Sequence, residues 1–353
     1  MLWAVIMAGG SGTRFWPESR ALRPKQLLQI FGKKTLLEQT VDRIRSLIPK
    51  ERILIVTNQS YAGLIQRIIK LPAKQIIGEP VGRNTAPCAV LAAQMAFRKD
   101  PKAVLAILPS DHRIAKEGEF RKALKAAAGI ATEGELPVTF GIRPHYPHTG
   151  FGYLELGQKM KSKTSFSAYR LKRFCEKPNL KKAKMFLRSK RYLWNSGMFV
   201  WKADSLLEAA RNHQPKIIKL AEKIASKFSR AAIKRVFPQM PDVSIDFGLM
   251  EYLKGKIIAI PIDIGWNDLG GWQVVSEIWP QDSQGNIICG KPILINSQNS
   301  IVRAGKRLIA LVGMSDCVIV DSDDALLICH RHQTEAVRHV VQELKKRKKR
   351  ELL

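Results

Sequence analysis

Leu2-Trp3-Ala4-Val5-Ile6-Met7-Ala8-Gly9-Gly10-Ser11-Gly12-Thr13-Arg14, with Arg23-Pro24-Lys25-Gln26 close behind, is the stretch on which the fold turns. The apolar run 2–7 reads as a buried strand. A strand that runs into a glycine-rich turn is where α/β sheets bind ligands, at the carboxyl ends of their strands. Glycine lets the backbone take positive φ and bring its N–H groups close to an anion. Arg14 adds a planar fork of donors suited to phosphate, and Lys25 a compact point charge. The ligand implied is a polyphosphate. Two better-known phosphate loops fit badly. The P-loop needs Lys-Ser or Lys-Thr after its last glycine, and none follows here. The dinucleotide fingerprint needs a third glycine where this chain has Phe15.

Outward from this loop, strand and helix patterns alternate. Residues 35–47 read as a helix, with Thr35 and Glu38 spaced as a capping box. Strands are predicted at 52–57, 75–78, 103–108 and 138–141, and helices at 60–70 and 85–98, with Pro87 tolerated in the first turn. This alternation predicts an α/β fold with a doubly wound, mainly parallel, Rossmann-like sheet. Two strand ends stand out. One is the polar loop Glu79-Pro80-Val81-Gly82-Arg83-Asn84-Thr85-Ala86-Pro87, where Asn84 or Thr85 could cap the next helix. The other is Leu108-Pro109-Ser110-Asp111-His112. A carboxylate there is well placed for Mg²⁺, which takes one or two carboxylates and completes its shell with phosphate and water. His112 is a structural neighbour by the same logic, since imidazole is not a typical magnesium ligand. Residues 203–235 read as helical and very basic, with no identifiable chemistry. From about 284 the chain breaks into short apolar strands between polar turns, as in a few solenoid coils. A closing helix follows at 333–349.

The Gly-Gly-Ser-Gly-Thr-Arg run with Pro-Lys-Gln behind it resembles the signature of sugar-1-phosphate nucleotidylyltransferases. The remaining motifs narrow the resemblance to the mannose-1-phosphate guanylyltransferases, in the short form without a fused isomerase domain. It covers essentially the whole chain. By resemblance, Ala8, Gly9, Gly10, Gly12 and Thr13 bind the nucleotide, and the 79–87 loop, with Glu79, Asn84 and Thr85, lies against its base. Thr149-Gly150-Phe151-Gly152-Tyr153 is similar to the stretch against the sugar, with Phe151 in place of a Tyr; Gly150, Gly152 and Tyr153 fall in it. Glu176-Lys177-Pro178 matches the motif whose Glu accepts sugar hydroxyls and whose Lys meets the sugar phosphate. Trp194-Asn195-Ser196-Gly197-Met198-Phe199 is similar to the sugar-binding turn, and the Asn195 amide suits vicinal hydroxyls. Ser244-Ile245-Asp246-Phe247 resembles a further motif, with Phe247 lacking the usual Tyr hydroxyl. Trp266-Asn267-Asp268-Leu269-Gly270-Gly271-Trp272 supplies a second carboxylate, Asp268, to share one Mg²⁺ with Asp111. Arg14, Lys25, Asp111 and Asp268 are thus the expected catalytic set. The resemblance implies transfer of GMP from GTP to α-D-mannose 1-phosphate, a catalytic domain at 1–283, a short left-handed β-helix with a basic closing helix at 284–353, and a homodimer.

Composition limits the alternatives. The chain has 353 residues, 45% of them hydrophobic and 25% charged, enough for a sizeable core. No apolar run is long enough to span a membrane. Nothing at the amino terminus resembles a signal peptide, and the five cysteines form no C-x-x-C pair; together these point to a reduced cytoplasm. The net charge of +29 would suit nucleic acid or other polyanions. Yet the cations are spread along the chain, the one dense run (345–350) ends a helix, and no aromatic residues interleave with them, so nucleic acid is not the expected partner. Three other readings stay open at this stage: use of another sugar phosphate such as a heptose or glucose phosphate, a nucleotide-sugar sensor without turnover, and a side affinity for RNA.

Overall fold

The computed structural model describes every residue except 11, 162, 163 and 254. Its chain divides into two compact units that interleave in sequence: Met1–Gly9 with Glu38–Asn267, and Gly10–Leu37 with Asp268–Leu353. The segment after the first strand groups with the carboxyl-terminal part.

The first unit is built on a sheet of nine strands among the described residues. These are β1 (Leu2–Ala8), β2 (Ile53–Asn58), β3 (Ile76–Glu79), β4 (Val104–Pro109), then past the short β5 (Arg113–Ile114), β6 (Val138–Ile142), β7 (Tyr153–Met160), β8 (Ala168–Cys175), β9 (Tyr192–Lys202) and β10 (Ile258–Ile262). The order is β3-β2-β1-β4-β9-β6-β10-β8-β7. The first four strands are parallel, as the alternating pattern predicts, and β1 sits between β2 and β4 with its middle residues wholly buried. Burial on both faces is why its sequence is a continuous apolar run.

The expectation of a mainly parallel, doubly wound sheet is corrected in the other half. There β9 runs antiparallel to both β4 and β6, and β8 antiparallel to β10. Strand β7 pairs with both β8 and β9, so this half curls back on itself, barrel-like. The physical reason is connectivity. Strands joined by short links, or following a helix that does not cross over the sheet, can enter antiparallel, and a fully apolar strand carries no mark of its direction.

The helices of this unit are α1 (Leu36–Ile44, which starts just before the chain enters it), α2 (Gln59–Ile69), α3 (Thr85–Lys99), α4 (Glu117–Gly134), α5 (Leu180–Ser189), α6 (Ala203–His213), α7 (Pro215–Ser226), α8 (Arg230–Val236) and α9 (Ile245–Gly248). Helix α3 is buried along nearly its whole length and packs on α6 and α7, so it has no polar stripe to show. The two-residue strand β11 (Trp266–Asn267) pairs antiparallel with β5.

In the second unit, single 3-10 turns at Thr13–Phe15 and Lys25–Leu27 precede the short α10 (Trp272–Val275). Three-residue strands β12 (Ile287–Cys289), β13 (Ile293–Ile295), β14 (Ile301–Arg303) and β15 (Ala310–Val312) then lead to β16 (Cys317–Asp321) and β17 (Leu326–His330). Strands β12, β14 and β16 stack in parallel, and β13 on β15, which is a β-helix. Ile287, Ile301 and Val318 form one buried ladder through it. Its corners use left-handed residues such as Asn296, Asn299 and Asp316. Asn and Asp tolerate that conformation better than most residues. The chain closes with a 3-10 turn at Arg331–Ala336 and α11 (Val337–Lys346), shorter at both ends than the predicted 333–349.

Candidate active site

Within the second unit, the glycine loop is fixed by its own chemistry. Gly12 has φ 63 and ψ 34, in the left-handed region. A Cβ there would collide with the Cβ of Lys25, so both backbone conformation and space require glycine. The Gly12 carbonyl accepts from Ser19 Oγ at 2.7 Å. Phe15 is fully buried, edge-on to Trp272 at 5.2 Å, and Trp272 Nε1 donates to the Trp16 carbonyl at 3.1 Å. On this rigid footing, Arg14 Nη1 donates to the Gly270 carbonyl at 2.8 Å, and the buried Lys25 Nζ to the Asp268 carbonyl at 2.6 Å. Both cations therefore grip one turn, in which Leu269 takes φ 51 and buries its side chain completely. Arg14 is still 44% exposed, with Glu335 Oε2 at 3.6 Å from its Nε, and so keeps donors available to a ligand. The Asp268 side chain is half-buried. Arg14, Lys25 and the Asp268–Gly270 turn, far apart in sequence, come together here.

Within the first unit, the Ala8 carbonyl at the end of β1 accepts from Thr57 Oγ1 at 2.8 Å. Gly9 is exposed, and a Cβ on it would stand 3.3 Å from Glu79 Oε2. Glu79 ends β3 and is buried. Burial pushes its carboxyl up to about 7, with a thiol contact from Cys88, 2.8 Å from Oε1, working against the rise. Asn84 has φ 60 and caps α3, its side chain accepting from the Thr85 amide at 3.0 Å. Thr85 Oγ1 in turn accepts from the Ile245 amide at 2.8 Å. The polar atoms of Asn84 and Thr85 are thus taken up by the protein, at the start of α3 and on Ile245, and Glu79 is the side chain brought against Gly9.

Asp111 lies half-buried just beyond β4. The preceding Ser110 is held at both backbone atoms: its amide donates to Met7 O at 3.1 Å, and its carbonyl accepts from Thr40 Oγ1 at 3.2 Å. His112 Nδ1 accepts from Trp266 Nε1 at 3.1 Å, which makes the ring a brace between the β4 turn and β11.

The sugar-side motifs also converge within the first unit. Gly152 is closely covered, since a Cβ would stand 2.5 Å from the end of the Glu176 side chain and 3.1 Å from the Phe174 ring. Its carbonyl accepts from the Asn195 amide at 2.8 Å. Lys177 Nζ lies 3.5 Å from Glu176 Oε1 and is largely exposed, while Glu176 is 17% exposed. Burial raises the Glu176 carboxyl above its ordinary range; Lys177 opposes this and Glu251 adds to it. Tyr153 is fully buried, and its hydroxyl exchanges hydrogen bonds with the backbone of His148, so it pins the 148–152 loop. Phe151 stacks on His148 at 3.8 Å and meets Trp194 and Trp266 edge-on. One residue without an assigned role from sequence belongs to this cluster. Asp246, in the first turn of α9, accepts from Asn195 Nδ2 at 3.1 Å. Burial, then repulsion from Glu176, lifts its carboxyl to about 6. The Ser-Ile-Asp-Phe motif was the signal that could have found it.

No group of three or more His, Cys, Asp or Glu able to hold a metal stands together among the described residues. Asp111 in the first unit and Asp268 in the second are each a single hard carboxylate at a turn, a donor type that suits magnesium, which draws its remaining ligands from phosphate and water, better than a metal caged by protein alone.

Comparison with known proteins gives the family. Residues 3–285 match the nucleotidyl transferase family, and residues 290–344 match the MannoseP isomerase/GMP-like beta-helix domain. The chain is 35% identical to a mannose-1-phosphate guanylyltransferase of Klebsiella pneumoniae, across 99% of this chain and 75% of that protein. It is 37% identical to the one of Escherichia coli strain K12, across 98% of this chain and 73% of the relative. The chain belongs to the mannose-1-phosphate guanylyltransferase family. In structure it is similar to the crystal structure of mannose-1-phosphate geranyltransferase from Thermus thermophilus, with a TM-score of 0.87 and 30% identity over 98% of this chain and 99% of the other. As a member of this family the protein is a nucleotidyltransferase, and its β-helix is the family's second domain. No helix among the described residues is long and apolar enough to cross a membrane.

Proposed function

We propose that the protein transfers GMP from GTP to α-D-mannose 1-phosphate, giving GDP-mannose and pyrophosphate. The observation that carries this reading is the pair Arg14 and Lys25, both hydrogen-bonded to the Asp268–Gly270 turn on a loop that glycine alone can form. A sugar phosphate is already an anionic nucleophile, so no general base is required. A phosphate oxygen of the sugar attacks the α-phosphorus of GTP. A new P–O bond forms, the bond to the β-phosphate bridging oxygen breaks, and pyrophosphate leaves with that electron pair. The difficulty is bringing polyanions together, which positioning and fixed charge can relieve.

In this reading the amides of Gly9, Gly10 and Gly12, the Thr13 turn, Arg14 and Lys25 hold the triphosphate and the departing pyrophosphate. Glu79, on the Asn84–Thr85 loop, accepts from the guanine edge. Lys177 directs the attacking phosphate, and Glu176, Asn195 and the Gly150–Tyr153 stretch receive the sugar. Asp111 and Asp268 are the carboxylates proposed for Mg²⁺, which would neutralise phosphate charge. A left-handed wind of the β-helix, a catalytic domain at 1–283, a homodimer and a cytoplasmic location complete the proposal; these rest on the family resemblance.

The test is pyrophosphate release across a matrix of GTP, ATP, UTP and dTTP against the 1-phosphates of mannose, glucose and a heptose. GTP with mannose 1-phosphate should turn over fastest. Preference for dTTP with glucose 1-phosphate would overturn the reading, and binding of GDP-mannose with no turnover of any pair would make the protein a sensor.

A further inference from the structure

The Asn195 amide, at first sight the group that grips the sugar, is already occupied by the protein. Its Oδ1 accepts from the Gly197 amide at 3.3 Å and lies 3.3 Å from Thr139 Oγ1, whose single hydrogen also has the Met198 carbonyl at 3.1 Å. Its Nδ2 gives one hydrogen to Asp246 Oδ1 at 3.1 Å. Only one N–H of that amide is left for a ligand, and its direction is set by the contacts with Asp246 and the Gly197 amide. Asp246 is the single charged group among them. It is half-buried on α9, and the charges facing it come from other elements: Glu176 and Lys177 on the loop after β8, with Glu251 beyond Glu176. A buried carboxylate facing another carboxylate is costly to keep, and groups held at such a cost cluster at functional sites.

We propose that Asp246 is a positioning residue for the sugar phosphate, locking the Asn195 amide so that its remaining N–H meets a sugar hydroxyl, and that its ionised form is the binding form. This rests on the sugar site proposed above. Two consequences separate it from a structural role. Because its carboxyl sits near 6, above the ordinary range, the folded protein resists ionising it. Removing the charge while keeping the shape should therefore stabilise the fold and weaken the substrate at the same time. Below about pH 6 the wild-type protein should itself lose affinity for the sugar phosphate as Asp246 takes up a proton.

The experiment uses the full chain and measures KM for mannose 1-phosphate, KM for GTP, kcat and Tm between pH 5.5 and 8.5 for wild type, Asp246→Asn and Asp246→Ala. The expected result for Asp246→Asn is a higher Tm at pH 8 and a KM for the sugar phosphate that changes less through pH 6 than in wild type, where the substrate phosphate and Glu176 also titrate. In Asp246→Ala that KM should rise about tenfold or more, the scale of one lost buried hydrogen bond, with KM for GTP unchanged and kcat within a few-fold. A lowered Tm in Asp246→Asn with every kinetic constant falling together would assign a structural role and overturn the proposal. So would an unchanged KM for the sugar phosphate in both variants. If Asp246→Ala does not fold, the Asn variant alone decides through its Tm and pH profile. Wild-type protein inactive on GTP and mannose 1-phosphate would instead defeat the underlying reading, which separates the two failures.

Discussion

Arg14 and Lys25 differ in how they are held, and the difference predicts how their loss will look. Lys25 is buried and bonded to the Asp268 carbonyl, whereas Arg14 keeps much of its guanidinium exposed. Arg14→Ala and Lys25→Ala should each lower kcat/KM for GTP about 10²-fold or more, the scale of an oriented electrostatic contact. Lys25→Ala should also lower Tm, because it leaves a carbonyl of the turn without its donor. Equal kinetics of wild type and both variants would remove the two from the machinery. Glu79 predicts a pH effect on stability. Its folded value near 7 lies above the ordinary carboxylate range. The stability it contributes is full below pH 4–5 and is lost as pH rises through 7, by up to about 3 kcal/mol. Glu79→Gln should flatten that dependence, as urea unfolding at pH 5 and pH 8 would reveal. Residues of this kind were only partly legible. Arg14, Lys25 and Glu79 stand in motifs, but the saturation of Asn195 and the place of Asp246 depend on partners far off in sequence, which no local pattern encodes.

The elements were legible where one local rule governs them. The apolar runs of β1, β2 and β4, the turn into α3 and the short strands of the β-helix all follow from periodicity and turn chemistry. The direction of β9 did not, since strand patterning says whether a face is buried and nothing about which neighbour covers it. Helix α4 was also missed, and its many alanines make a broad apolar face with weak contrast. At this scale two substitutions test the account. Asn84 holds φ 60 and caps α3, so Asn84→Ala should cost about 1–3 kcal/mol from the lost cap and the strained backbone together. Asn84→Gly, which relieves the strain, should cost less, and the reverse order in thermal melts would refute the assignment. Ile301, fully buried in the ladder of the β-helix, should cost about 2–5 kcal/mol on change to Ala.

At the scale of the molecule the two units interleave, and their membership makes a prediction of its own. The segment Gly10–Leu37 is anchored inside the second unit by residues near the other end of the sequence. Trp16 Nε1 donates to the Leu352 carbonyl at 2.9 Å, Arg20 pairs with Asp324, and Glu18 with Arg303. Cutting the chain after residue 283 should therefore loosen the loop that carries Arg14 and Lys25, although that loop lies inside the proposed catalytic domain. Limited proteolysis should then cleave within 10–37 much faster than in the whole protein, and GTP turnover should fall. A truncated protein with the loop protected and activity intact would contradict this.

The same interleaving gives the protein a timetable. A ribosome delivers the glycine loop well before the partners of Trp16, Glu18 and Arg20, which come with Leu352, Arg303 and Asp324. At ordinary rates of synthesis that is a wait on the order of tens of seconds. Through that interval Phe15, Trp16, Leu28 and Ile30, all buried in the finished molecule, have no partner to cover them. A nascent chain of this design depends on something to shield that apolar segment until those partners arrive, and slowing synthesis of residues 284–353 should raise the fraction lost to aggregation.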